Sequence, residues 1–292
     1  MINSLHKQKI PIVTVNGRIS DNSYSGYRAV KFLIRPILRK VSKFCVQSDV
    51  DALRLNSLGV AKENIRVSGN VKFDIDLNSA AHPQIPLEIR RKLLLGSEDK
   101  LWVCGSTHPG EEAIIIEAYR ELLTGLPGLK LLLCPRHPER SKDVARLVSV
   151  NGFMPVFISS ISGACSACMD NPIFILDVMG ELLNYYSAAD IVFVGGSLVA
   201  TGGHNILEPA SLKKPVIFGP HMFNFRDIAR LFLENKAGIM VADSRELADK
   251  AKEILSGSLL AKQLVERAYG LIVNNRGATS RNIEVIKQLI PA

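Results

Sequence analysis

From about residue 100 onward, short uninterrupted apolar runs alternate with amphipathic stretches, and this constrains the fold more than any other feature. Leu101–Gly105, Leu129–Cys134, Ile173–Leu176, Ile191–Gly195, Pro215–Phe218 and the shorter Gly238–Val241 read as buried strands. Between them, Glu111–Leu123, Pro138–Val150, Met179–Ala188, Asn205–Leu212 and Phe225–Glu234 carry helical patterning. Strand–helix alternation with such short connections predicts a parallel sheet covered on both faces. Ligands of these sheets bind beyond the carboxyl ends of the strands, so the turns after strands are where chemistry is expected.

The first part repeats the pattern on a smaller scale: Ile12–Asn16, Tyr24–Lys40, Phe44–Gln47, Val50–Leu58 and Ile65–Ser68. A linker rich in Asn, Ala, Pro and His follows at Asn78–Pro86, which predicts two domains, residues 1–80 and 81–292. The first is small for a doubly wound domain, which usually needs on the order of 100 residues or more. It reads as the second half of one.

Charge is equally uneven. The chain of 292 residues carries +8, and residues 1–75 hold 13 Lys and Arg against 5 Asp and Glu. The remainder is neutral, so the whole excess lies in the first quarter and predicts an anionic partner there. Within it, Arg28, Lys31, Arg35 and Arg39 are spaced for one helical face, with Leu33, Ile34, Ile37 and Val41 as an apolar side. Either a solvated face or contact with an anionic membrane surface suits that pattern. Pro36 is expected to kink or break this helix. With 47% hydrophobic and 22% charged residues, the chain is globular; five cysteines are too few for a disulfide scaffold. The uncharged stretch Leu147–Met169 has the length of a membrane span, but Asn151, Gly152, Pro155 and five serines argue against one.

Several turns carry candidate chemistry. In Val194–Pro209, one glycine pair ends a strand and another, Gly202-Gly203, opens a helix at Asn205, Ile206, Leu207 and Glu208. Such a turn suits an anion or a donor sugar, with Glu208 placed to accept from a ribose diol; a tight turn with a surface carboxylate is the alternative. Arg136, after Pro135 at the end of another strand, either grips a phosphate or pairs with a neighbour. Ser106-Thr107-His108 and Met179-Gly180-Glu181 occupy equivalent turns, where helix-start chemistry and substrate contact are both open. His108, His137, His204 and His221 fall in such loops without metal-ligand spacing. Asp74-Ile75-Asp76 and Cys165/Cys168 are weak metal signals, and no metal site is expected. The absence of a G-x-x-x-x-G-K-[ST] loop disfavours an ordinary nucleoside-triphosphatase.

Taken in order, Val15–Arg18, Gly69–Asp74, Ser106–His108, Pro135–Arg140, Met179–Leu182, Gly195–Pro209 and Gly219–His221 resemble the motifs of Kdo transferases. These enzymes add 3-deoxy-D-manno-octulosonic acid (Kdo) to a lipid A precursor in lipopolysaccharide biosynthesis. The resemblance implies an α/β GT-B architecture, here a truncated N-terminal Rossmann-like domain plus a complete C-terminal one. It implies an inverting, metal-independent glycosyltransferase that uses CMP-Kdo as donor and no cofactor. CMP contacts are implied for Pro135, Arg136, Met179, Gly180, Glu181, Asn205, Ile206, Leu207 and Glu208, and transition-state stabilisation for Lys72. Val71 replaces the leucine of the family's L-K-F-D motif. The expected partners are CMP-Kdo, a lipid A precursor and an anionic membrane surface, and no nucleic acid. The expected location is peripheral, at the cytoplasmic face of the bacterial inner membrane. The family's membrane anchor and general-base glutamate are expected to precede Met1, which predicts donor binding with little or no transfer. A GT-B enzyme for a UDP-sugar, or a non-catalytic module binding anionic lipid or nucleic acid through residues 1–75, stays open.

Overall fold

The computed structural model describes residues 1–75, 83–161, 171–257 and 259–290, which form two compact units. Asp76 and the Cys165/Cys168 pair lie outside the described residues. Unit 1 comprises Met1–Ile75 together with Ile272–Ala292, and unit 2 comprises Asp76–Leu271.

Unit 1 is built on a three-stranded parallel sheet: β1 (Val13–Gly17), β2 (Lys43–Val46) and β3 (Ile65–Val67), in that order. Val41, Phe44, Val46, Leu55 and Val60 form its core. The expected basic helix is interrupted at Val30, giving Asp21–Ala29 and Lys31–Leu38. Pro36 is accommodated within the second helix, so the break falls upstream of the residue expected to cause it. The amides of Leu33 and Ile34 both donate to the Val30 carbonyl, which starts a new first turn there. Arg28 and Lys31 therefore belong to different helices, and the single basic face is not formed.

The tail is a second correction. Residues 272–292 were expected to belong to the second domain, yet the helix Ala278–Lys287 packs within unit 1. The Asp74 carboxylate accepts from the amides of Gly277 and Thr279, each at 2.6 Å, and Arg281 Nε donates to the Ser68 carbonyl at 2.8 Å. Burial works to raise the Asp74 pKa, but hydrogen bonds from Thr279, Gly277 and Ala278 hold it below the ordinary carboxylate range. Asp74 is thus a helix cap.

Unit 2 contains a seven-stranded sheet. Its strands are β4 (Lys100–Thr107), β5 (Leu129–Pro135), β6 (Met154–Phe157), β7 (Pro172–Ile175), β8 (Ile191–Val194), β9 (Val216–Phe218) and β10 (Ile239–Met240). All pairings are parallel, in the order β10-β9-β8-β4-β5-β7-β6. Both faces are covered, which is why the central strands read as unbroken apolar runs: Trp102, Leu131, Leu133, Ile173, Phe193 and Ile217 are all fully buried. The helix Glu111–Leu123 contributes Ile115, Tyr119 and Leu122 to this core, spaced for one face. The chain passes from β4 to β5 on one side and returns to β8 on the other, so the switch point lies between β4 and β8. The described part of the uncharged stretch, residues 147–161, contains β6; among the described residues no helix is long and apolar enough to cross a membrane.

Candidate functional site

At the switch point, the turn after β8 is organised from within the protein. The carboxylate of Glu111, fully buried, accepts from the amides of Gly196 at 2.7 Å, Ser197 at 2.9 Å and Leu198 at 2.8 Å. It also accepts from the His108 amide at 2.9 Å. Gly195 lies so close to β4 that a Cβ there would stand 2.6 Å from the Ser106 carbonyl. The Ser197 hydroxyl receives the Gly219 amide at 2.8 Å, tying the turn to the end of β9. By sequence, the glycine-rich stretch suits an anion or a donor sugar, with a tight turn as the alternative. The amides of Gly196 and its two successors serve Glu111 instead, because a buried carboxylate needs donors and four converge on it.

Thr107 and Arg140 are also internally engaged. Glu112, likewise buried, accepts from the Thr107 hydroxyl at 2.9 Å and pairs with Arg140 at 3.0 Å. Thr107 is therefore part of a latch rather than a free hydroxyl facing a ligand. Ser106 adopts a left-handed backbone, with φ of 57°.

The remaining turns are open. Arg136 is exposed directly beyond β5, its amide donating to the Thr107 carbonyl at 3.0 Å. No described residue forms a hydrogen bond or ion pair with its guanidinium. Glu208 stands in the first turn of the Leu207–Ser211 helix and is half-buried. Burial raises its pKa, while a hydrogen bond from Asn205 at 3.1 Å and the nearby Arg136 charge pull it down. Arg136 and Glu208, far apart in sequence, thus act on one another at the carboxyl edge of the sheet. Asn205 also caps its helix, accepting from the Leu207 amide at 3.2 Å, and Ile206 and Leu207 are buried beneath the turn.

Beyond β7, Met179 is 79% exposed, and Gly180 holds φ of 84° with open space where a side chain would stand. Glu181 precedes the Leu182–Ala188 helix; burial, with help from the Glu181 charge, raises the pKa of the buried Tyr185 phenol. Pro135, Arg136, Met179, Gly180, Glu181, Asn205, Ile206, Leu207 and Glu208 therefore all lie at one edge of one sheet. Ile206 and Leu207 are walled in, and the polar members remain accessible.

Two histidines join this edge. His108 Nε2 and His204 Nε2 are 2.9 Å apart, with the rings stacked 5.2 Å between centroids, and His137 lies edge-on to His108 at 6.3 Å. One nitrogen of the pair must donate and the other accept, so the two rings do not both carry a charge. Burial, then His108, Arg136 and His137, push the His204 pKa down to about 4. Burial likewise lowers His108. The loop positions were legible in the sequence; the pairing was not, because 96 residues separate the two rings.

Lys72 lies in unit 1, in the turn after β3. The Asn70 side chain accepts its amide at 3.0 Å, and that of Asn16, within β1, accepts the Val71 amide at 3.2 Å. Burial and then the Arg18 charge lower the Lys72 pKa. Two cations therefore converge at the carboxyl end of the small sheet.

Residues 1–75 match the family model described as 3-Deoxy-D-manno-octulosonic-acid transferase (kdotransferase). The 3-deoxy-D-manno-octulosonic acid transferase of Haemophilus influenzae is 35% identical over 98% of this chain and 66% of its own length. That of Rickettsia felis is 32% identical over 96% of this chain and 58% of its own length. The chain thus spans somewhat less than two thirds of the curated relatives it matches. Among solved structures, the C-terminal CMP-Kdo binding domain of WaaA from Acinetobacter baumannii is matched over 99% of its length and 65% of this chain. That match has 29% identity and a TM-score of 0.60. A putative UDP-N-acetylglucosamine 2-epimerase from Listeria monocytogenes, 14% identical with a TM-score of 0.61 over 98% of this chain, shares the fold alone. With Rossmann-like parallel sheets and 3-deoxy-D-manno-octulosonic acid transferases matched along nearly its whole length, this chain belongs to the 3-deoxy-D-manno-octulosonic-acid transferase family of glycosyltransferases.

Proposed function

We propose that unit 2 holds CMP-Kdo by its cytidine monophosphate part, and that the chain serves inverting transfer of Kdo to a lipid A precursor in lipopolysaccharide biosynthesis. The observation that carries this reading is the exposed Arg136 guanidinium, at the same carboxyl edge of the sheet as Glu208 and with a charge that reaches it. The likeness to a domain whose solved structure is named for CMP-Kdo binding supports it. Arg136 supplies a planar, two-pronged donor for the phosphate. Glu208, held by Asn205, supplies an acceptor for ribose hydroxyls. The Gly180 turn leaves space for backbone contact.

In this reaction, departure of CMP puts negative charge on the leaving phosphate and positive charge on the anomeric carbon. Arg136 meets the former, and a fixed charge in a water-poor site is worth several kcal/mol there. The acceptor hydroxyl attacks from the opposite face and gives its proton to a carboxylate, typically worth ~10²–10⁴-fold. No step needs a metal ion or a cofactor. The basic first 75 residues draw the chain to an anionic surface, which fits peripheral attachment at the cytoplasmic face of the inner membrane.

Calorimetric titration of CMP into the purified chain tests the reading. Wild type should bind, Arg136→Ala and Glu208→Gln should both weaken binding, and UMP should bind less well. Absence of CMP binding at millimolar concentration, or equal binding by the variants, would refute it.

A further inference from the structure

Unit 1 contains an apolar cavity of about 320 Å³ between the Lys31–Leu38 helix and the sheet. Its floor is made by Phe44, Val46, Leu55 and Leu58, all buried. The most exposed lining residues are Arg18, Tyr27 and Ile37, which mark the open side. Folded interiors are close-packed, so an open apolar void of this size suits a ligand better than it suits water, which finds few partners there.

The charges around the opening say what kind of ligand. Arg18 sits in a fixed segment: the next residue, Ile19, donates its amide to Asp51 at 2.8 Å and its carbonyl accepts from Arg54. Arg18 is close enough to Lys72 to lower its pKa. Outside the cavity, the same helix presents Phe32, 74% exposed, and Leu33, 59% exposed, beside exposed Lys31 and Arg35. An apolar hole with a cationic rim, in the part of the chain that carries all the excess charge, complements a molecule with an alkyl tail and an anionic head.

We propose that this cavity receives one acyl chain of a phosphate-bearing lipid, with the head group at Arg18. This deepens the reading of a lipid acceptor by giving one of its chains a place inside unit 1. It also divides the work between the units, since the nucleotide end of the reaction belongs to unit 2.

Calorimetry with monomeric alkyl phosphates on the full chain tests the proposal. Each buried methylene is worth about fourfold in affinity, so octyl phosphate, four methylenes longer, should bind roughly two-hundredfold tighter than butyl phosphate. Octanol should bind about tenfold more weakly than octyl phosphate. Ile37→Trp should narrow the opening and remove most of the chain-length dependence, whereas Arg18→Gln should lower affinity for octyl phosphate but not for octanol. Both residues are exposed, and unchanged CMP binding by unit 2 serves as the folding control. Equal affinity for the two alkyl phosphates, or chain-length dependence unaltered in Ile37→Trp, would overturn the cavity assignment. Octanol and octyl phosphate binding alike would overturn the role of Arg18. A chain that binds CMP but no alkyl phosphate keeps the transferase reading and loses this one; the reverse result keeps the cavity and loses the nucleotide site.

Discussion

Glycine-rich and glycine-poor turns at the same edge of the large sheet serve opposite ends. The turn after β8 is glycine-rich and its amides are consumed by the buried Glu111 carboxylate. The turns after β5 and β7 are poorer in glycine, yet Arg136 and Gly180 face open space. The anion that a glycine-rich turn is shaped to hold can be one of the protein's own side chains. What distinguishes a binding turn from a latch is whether its donors are already satisfied.

Substitution should separate the two most sharply at Glu111. Glu111→Ala strands four amides, two of them on buried residues, and unfolding by urea should register a loss on the order of 3–5 kcal/mol. A loss confined to CMP affinity, with stability intact, would erase the contrast. Next comes Arg136→Ala, the reverse case: CMP affinity should fall about tenfold to a hundredfold, while the urea midpoint moves by no more than about 0.5 kcal/mol. Gly180→Ala should cost about 1–2 kcal/mol through its left-handed backbone alone, since nothing stands where the methyl would go. Loss of CMP binding beyond that cost would mean the ligand occupies the empty space.

The smallest effect concerns acid. His204 has a pKa of about 4 in the fold against an ordinary 6.5. The unfolded chain therefore takes the proton more readily, and the stabilisation is present above 6.5 and lost as pH falls towards 4. Melting temperature should drop by a few degrees more in wild type than in His204→Gln across that window. Parallel pH profiles would show that the histidine pair carries no such linkage.

Much of this was readable in the sequence. Buried parallel strands announce themselves as continuous apolar runs, and the helix Glu111–Leu123 falls where its pattern places it. Strand β6 was hidden because it is an edge strand containing Pro155, tolerable only where one side of the ladder needs no partner. The start of the helix Ser244–Leu255 is written in local sequence, since Asp243 accepts the Glu246 amide and Glu246 accepts the Ala242 amide.

Local sequence, then, determined which segments become strands and helices, which turns stand at the ends of strands, and where the excess charge lies. All three depend on residues near one another along the chain. Only the tertiary structure decided that Glu111 fills the glycine turn, that Asp74 caps a helix some 200 residues later, and that His108 meets His204. Each of these is a hydrogen bond between distant groups. It exists because burial makes an unpartnered polar atom costly, and the fold alone determines which partner is within reach.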